Sequence, residues 1–281
     1  MDSVGNSVLL EHRFVLGVSD FQHHRRALPA SALIRYAAEA RYVAFATWPA
    51  LVRMLQEEEG GGGIEIRTQV VRFLRPTSSL LLPGFPITIK QSPHAIGTNN
   101  LTICCDFYED NTEGEVVKDP FAQVFTLLVR VDLKDGSLLQ LPAYINKEVV
   151  WQYPSREALQ KATDQAWLYD LLFAKAKEVD PSKLPSKHQV LVRPSDLGGN
   201  RVTAARLAEY FEDALEFSGG SGGAVPDLLV VETLKSIPPG QECDVVFAVD
   251  DGNELLLLLL DKFTRQPLAR SYVHWQYKLL T

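Results

Sequence analysis

Two short stretches of the chain hold the residue types that acid–base chemistry needs. The first is SDFQHHRR, residues 19–26, which carries Asp20, Gln22, His23 and His24. A histidine is the side chain best suited to take a proton near neutral pH, and a nearby carboxylate can fix its orientation. His24 is therefore a candidate base, with Asp20 as the group that orients it. The plainer reading is a polar loop ahead of a helix. The second stretch is SDLGGNRVTAARLAEYFEDAL, residues 195–215, with Asp196, Asn200 and Arg201. Arg201 cannot serve as a base, because a guanidinium stays protonated. It can bind an anion or hold a developing oxyanion.

Carboxylates inside the helical segments add to the candidates. Glu39 lies in the apolar run RYAAEARY. Burial there would raise its pKa and make it a base. The alternative is an exposed residue paired with Arg35 or Arg41, of which Arg35 is four residues away on the same helix face. Glu209, between Arg206 and Asp213, reads as solvated. The chain has no P-loop, no GxGxxG and no GxSxG elbow. Its SGGSGG run has no Lys after it and reads as a loop.

Bulk properties narrow the class. The 281 residues suffice for one large domain or two medium ones. Lys and Arg number 28 against 35 Asp and Glu, a net charge of −7 that disfavours general nucleic-acid binding. Cys104, Cys105 and Cys243 read as reduced core residues of an intracellular protein, and no Cys/His spacing suggests zinc or another cofactor. No Lys or Arg precedes Arg13, which fits neither a secretory signal nor an Arg-rich transit peptide. The expected compartment is the cytosol, or a mitochondrion or plastid if a targeting peptide has been removed. LLLLLL, residues 255–260, is too short to span a bilayer and reads as a strand buried on both faces.

The elements that would position these residues come in two similar sets. Residues 13–21 pattern as a strand, and a loop leads into a long helix that Pro49 breaks or kinks. Strands over 64–75, 86–92, 100–109 and 121–133 follow, with turn residues between them. Residues 155–179 pattern as a linker helix with a Ser155 cap. A second strand, glycine turn, helix and four strands then run from 188 to 280. A shift of 174 superposes Ala30, Leu33, Tyr36 and Ala40 on Ala204, Leu207, Tyr210 and Ala214. These positions share one helix face, and with the same element order around them they favour a duplication. The expected division is 1–147, a linker at 148–187, and 188–281.

RTQVVRFLRPTSS, DGSLLQLP after the fourth strand, and the terminal ARSYVHWQY carry a resemblance. With the element order, they make the chain similar to the double-hot-dog acyl-acyl carrier protein thioesterases over roughly residues 12–279. More distantly it resembles single-hot-dog acyl-CoA thioesterases, which often use a helix carboxylate such as Glu39 would be. The resemblance implies an α+β tandem hot-dog fold, with two antiparallel sheets each wrapped around a central helix. It implies a fatty acyl thioester of acyl carrier protein or coenzyme A as substrate, and HHRR would suit the phosphates of either. The family resembles itself in an Asp-x-Asn-x-His run before the second helix and an acidic or Cys residue on the next strand. Aligned on the helix, Leu197, Gly199 and Arg201 take those three places, and a slide of one or two residues recovers Asp196 or Asn200 but no His. Glu232, Thr233 and Ser236 are the candidates on the next strand. Asp20-x-Gln22-x-His24 resembles the missing run from the other half.

Three readings follow. The chain is a thioester hydrolase or acyl binder with a non-standard site, or an inactive hot-dog subunit that pairs or joins a larger assembly, or a dehydratase resting on His23 and His24.

Overall fold

The computed structural model describes residues 10–21, 28–56, 62–75, 81–110, 116–149, 151–152, 179–198, 201–218 and 226–275. Strand β1 (Leu10–Val15) is shorter than its pattern suggested. A 3₁₀ turn over Val18–Phe21 ends the stretch instead, because the Asp20 carboxylate accepts the Gly17 N–H at 2.5 Å and bends the chain. Helix α1 (Ala30–Thr47) is followed, after Trp48, by α2 (Pro49–Gln56). Pro49 opens α2, where its missing N–H is no loss, and so divides the long helical pattern in two.

Strands β2 (Gly62–Phe73), β3 (Pro86–Ile96), β4 (Asn100–Glu109) and β5 (Ala122–Asp132) come next, then a short α3 (Ala143–Glu148). The linker helix expected over 155–179 lies, up to residue 178, outside the described residues. The second set is β6 (Ser186–Leu191), a two-residue hairpin of β7 (Leu197–Gly198) and β8 (Arg201–Val202), and α4 (Ala204–Phe217). It ends with β9 (Leu228–Thr233), β10 (Glu242–Asp251), β11 (Glu254–Asp261) and β12 (Pro267–His274).

The expectation of two sheets is corrected by the structure. Ten strands form one antiparallel sheet in the order β1-β3-β4-β5-β2-β9-β12-β11-β10-β6. The seam is the β2–β9 pair, in register from Thr68 opposite Glu232 to Arg72 opposite Leu228. Each half alone would end on an open strand with unpaired N–H and C=O groups, and joining the two edges satisfies both. Outward from the seam the strand order of one half repeats that of the other.

Helices α1 and α4 pack against each other and share one apolar core. The face read from the 174-residue shift is the buried one. Leu33, Tyr36, Ala40, Leu207, Tyr210 and Ala214 are all buried. Burying a side chain such as Leu33 or Phe107 contributes about 1.5–3 kcal/mol each. A second apolar cluster lies under α2, around Leu51, Met54, Ile103 and Leu128. All six leucines of 255–260 are buried, on both faces of β11. Among the described residues, no helix is long and apolar enough to cross a membrane.

Candidate functional site

The second half's turn is built around Asp196. Pro194–Asp196 forms a 3₁₀ turn, and the Asp196 side chain points inward and is buried. Its Oδ2 accepts the Arg193 N–H and the Tyr210 hydroxyl, both at 2.7 Å. Arg206 Nε lies 2.9 Å from its Oδ1. Burial alone would raise the Asp196 pKa. The Arg193 N–H, the Tyr210 hydroxyl and the Arg206 charge outweigh it and hold the carboxylate below its ordinary value. The same pairing, after burial itself, pushes the Tyr210 hydroxyl up.

The first half repeats this arrangement. Asp20 is buried, its Oδ2 accepts the Gly17 N–H and the Tyr36 hydroxyl at 2.6 Å, and Arg35 pairs with its Oδ1. The two arginines come from different helix positions, one residue before Tyr36 but four before Tyr210. Each also stacks over its tyrosine, at 5.5 and 5.1 Å from the ring centre. Asp20 and Asp196 are thus fully engaged in pinning a turn to a helix.

Arg201 sits beyond this staple, on the hairpin that leads into α4. The backbone closes there through Thr203 N–H to the Asp196 carbonyl at 3.2 Å, and the Thr203 hydroxyl caps α4 by accepting the Arg206 N–H. A Cβ at Gly198 would fall 2.9 Å from the Thr203 methyl, so the tight hairpin needs glycine there. The hairpin carries Arg201 across to the first half, where its guanidinium pairs with Glu65 on β2. The arginine is half exposed and the carboxylate largely covered, 50% against 18%. This cation and anion join the two halves beside the seam.

The other candidates are placed as follows. Asn200 and Gly199, and Gln22, His23 and His24 with the HHRR patch, lie outside the described residues. Glu39 is exposed, not buried, and neither expected arginine serves it: Arg35 pairs with Asp20, and Arg41 is buried against the sheet. Glu209 pairs with Arg206. Glu232 is held by Arg270 at 2.5 Å. The three cysteines are free and buried, and burial pushes the thiols of Cys105 and Cys243 up to about 12. Among the described residues no three His, Cys, Asp or Glu side chains gather as metal ligands would.

One histidine–carboxylate pair was not anticipated. His274 Nδ1 lies 2.8 and 3.0 Å from the two Asp227 oxygens. His274 is opposite Leu228 in register and follows the alternation of Tyr272, which packs on the face away from the helices. The pair therefore lies on the face of the sheet away from the helices. Only the β9–β12 register, which brings together residues 47 apart, reveals it.

Chemically, the pair beside the seam offers a fixed cation, Arg201, next to an anion, Glu65. Such a cation can hold a carbonyl or thioester oxygen. The arrangement has no free neutral base among the described residues at the turn.

No protein-family model and no curated protein sequence matches this chain. Solved structures do. An acyl-ACP thioesterase from Bacteroides thetaiotaomicron aligns at a TM-score of 0.68 and 9% identity, over 95% of this chain and 97% of that one. A 12:0-ACP thioesterase from Umbellularia californica aligns at 0.64 and 15% identity, with the same coverage. At such identities the agreement is one of fold, and it extends through both halves. The chain has the double hot-dog fold of the acyl-acyl carrier protein thioesterases.

Proposed function

We propose that this protein binds fatty acyl thioesters of acyl carrier protein or coenzyme A at the seam between its halves, with a non-standard site. The observation that carries the reading is the Arg201–Glu65 pair. It occupies the turn where the resembling family places a base, and it supplies an oxyanion holder in place of that base. The structural neighbours are named for acyl-ACP thioester hydrolysis, which supports the choice of ligand. Hydrolysis by this chain needs a base from elsewhere, and His24 is the candidate.

A second reading is favoured by the two aspartates. Asp20 and Asp196 are both consumed by the fold, which suits a non-catalytic subunit that pairs with itself or joins a larger assembly.

The test is thioester hydrolysis and binding over a chain-length series, with both carrier-protein and coenzyme A substrates. The native protein is compared with His24→Ala, Arg201→Ala and Glu65→Gln. Turnover lost in His24→Ala and binding weakened in Arg201→Ala support a variant thioesterase. Tight binding without turnover supports an acyl carrier or sensor. Neither binding nor turnover on any chain leaves the subunit reading.

A further inference from the structure

Arg41 lies on the sheet-facing side of α1 and is 5% exposed. Its Nη1 donates to the Thr126 hydroxyl at 3.0 Å, which donates in turn to Gln69 Oε1 at 2.8 Å. Thr126 and Gln69 face each other across β5 and β2. Burial pulls the Arg41 pKa down, and the groups that offset this are Cys105 and Tyr42, neither a carboxylate. The Cys105 thiol, pushed to about 12, is neutral at pH 7. Among the described residues, then, no counter-charge meets this buried guanidinium.

Its neighbours are also short of partners. Gln91 is opposite Cys105 in register, on β3, and is fully buried. Among the described residues, neither its Oε1 nor its Nε2 has a hydrogen-bond partner, and the same holds for Nε2 of Gln69. A buried polar group left unmet costs about 1–3 kcal/mol, and an unpaired charge more. Two of the three unmet atoms are donors, the amide nitrogens of Gln69 and Gln91, and they lie beside a guanidinium with no counter-charge. What satisfies them is an acceptor-rich anion.

The surroundings select among anions. On one side of the polar band lie Ile89 and Val124 of the main core, on the other Ile103 and Leu128 of the cluster under α2. An inorganic anion makes no use of these flanks, whereas an anion with an aliphatic chain uses both parts of the site.

We propose that Arg41, Gln69 and Gln91 form a binding site for the carboxylate of an aliphatic acid, with Thr126 relaying between Arg41 and Gln69. The inference deepens the acyl-binding reading and rests on it for the aliphatic part of the ligand. The carboxylate has two sources: a free fatty acid, or the far end of a dicarboxylic acyl thioester.

The test is calorimetric binding of decanoate, decan-1-ol, decanoyl-coenzyme A and the mono-coenzyme A thioester of decanedioic acid. The native protein is compared with Arg41→Met and Gln91→Leu. Decanoate is expected to bind the native protein roughly tenfold or more tightly than the alcohol, and Arg41→Met to abolish that preference. If the far-end carboxylate is the ligand, the mono-thioester loses affinity in Arg41→Met and decanoyl-coenzyme A does not. Gln91→Leu covers the case in which Arg41→Met does not fold. It removes unmet polar atoms, so it is expected to fold at least as stably as the native protein and still to weaken decanoate. Equal binding of acid and alcohol by the native protein overturns the carboxylate site alone. So does an acid preference that survives in a folded variant. Failure of every chain to bind overturns the acyl-binding reading with it.

Discussion

The Glu212 carboxylate, on the helix of the second half, caps the helix that begins at Ala30 in the first. Its Oε1 accepts the Ala30 N–H at 2.8 Å and its Oε2 the Ser31 hydroxyl at 2.6 Å. The first turn of a helix has N–H groups without partners and a positive dipole end, and a buried anion answers both. Here the cap comes from 182 residues along the chain, so it ties the two halves together while finishing a helix. Glu212→Ala is expected to cost about 1–3 kcal/mol in urea unfolding. Glu212→Gln should recover part of that, because one amide oxygen still accepts. Equal stability of all three proteins would show the cap to be unimportant.

The two tyrosine–aspartate staples predict matched losses. Tyr36→Phe and Tyr210→Phe each remove one hydrogen bond to a buried carboxylate, worth about 1.5–3 kcal/mol. The sites lie in separate halves and share no partner, so the double variant should lose nearly the sum. A much smaller loss at one site, read from thermal unfolding, would mean that its arginine alone suffices to hold the aspartate.

Asp196 also sets a pH dependence. Its folded pKa lies below the ordinary 3.8. The stabilisation is therefore fully present above the unfolded value and lost as pH falls through the folded one. Asp196→Asn should be destabilised most at neutral pH, with the gap to the native protein narrowing in acid. Parallel stability curves from pH 7 to pH 2 would contradict this.

Arg201→Ala is expected to leave stability within about 1 kcal/mol of native, because the ion pair is half exposed and such pairs contribute little. Acyl-thioester affinity, by contrast, should fall. Unchanged affinity for every thioester would remove Arg201 from the site.

The thiols provide a check on the core. Cys105 and Cys243 are buried and pushed to about 12, so they are expected to resist a thiol reagent at pH 8 until the protein unfolds. Rapid labelling in native buffer would show that the core opens locally.

Much of the architecture was legible from local pattern. The strand–helix–four-strand order appeared twice, because alternation and helical spacing are properties of adjacent residues. Pro49 marked a real break, since its ring clashes with the helix that precedes it while suiting the first turn of the next. The shift matching Tyr36 to Tyr210 identified the face that each helix buries, because the same sheet surface lies below both. The six leucines of β11 announced a strand covered on both sides.

What the tertiary structure alone decided are the relations between distant residues. A separate large sheet was expected for each half and a single ten-stranded one joins them, because the pairing of β2 with β9 depends on edges meeting in space. Asp20 read as the group orienting His24 and Asp196 as a site candidate beside a turn, and folding brings each a tyrosine, an arginine and a backbone N–H. Glu39 read either as a buried base among its alanines or as an exposed residue, and it falls on the exposed side of α1, while Arg41, two residues on, is the one driven inward. A two-residue step along a helix turns the side chain by about 200°. Which side meets the sheet is fixed only when the helix docks, and so is the choice between a solvated charge and a buried one.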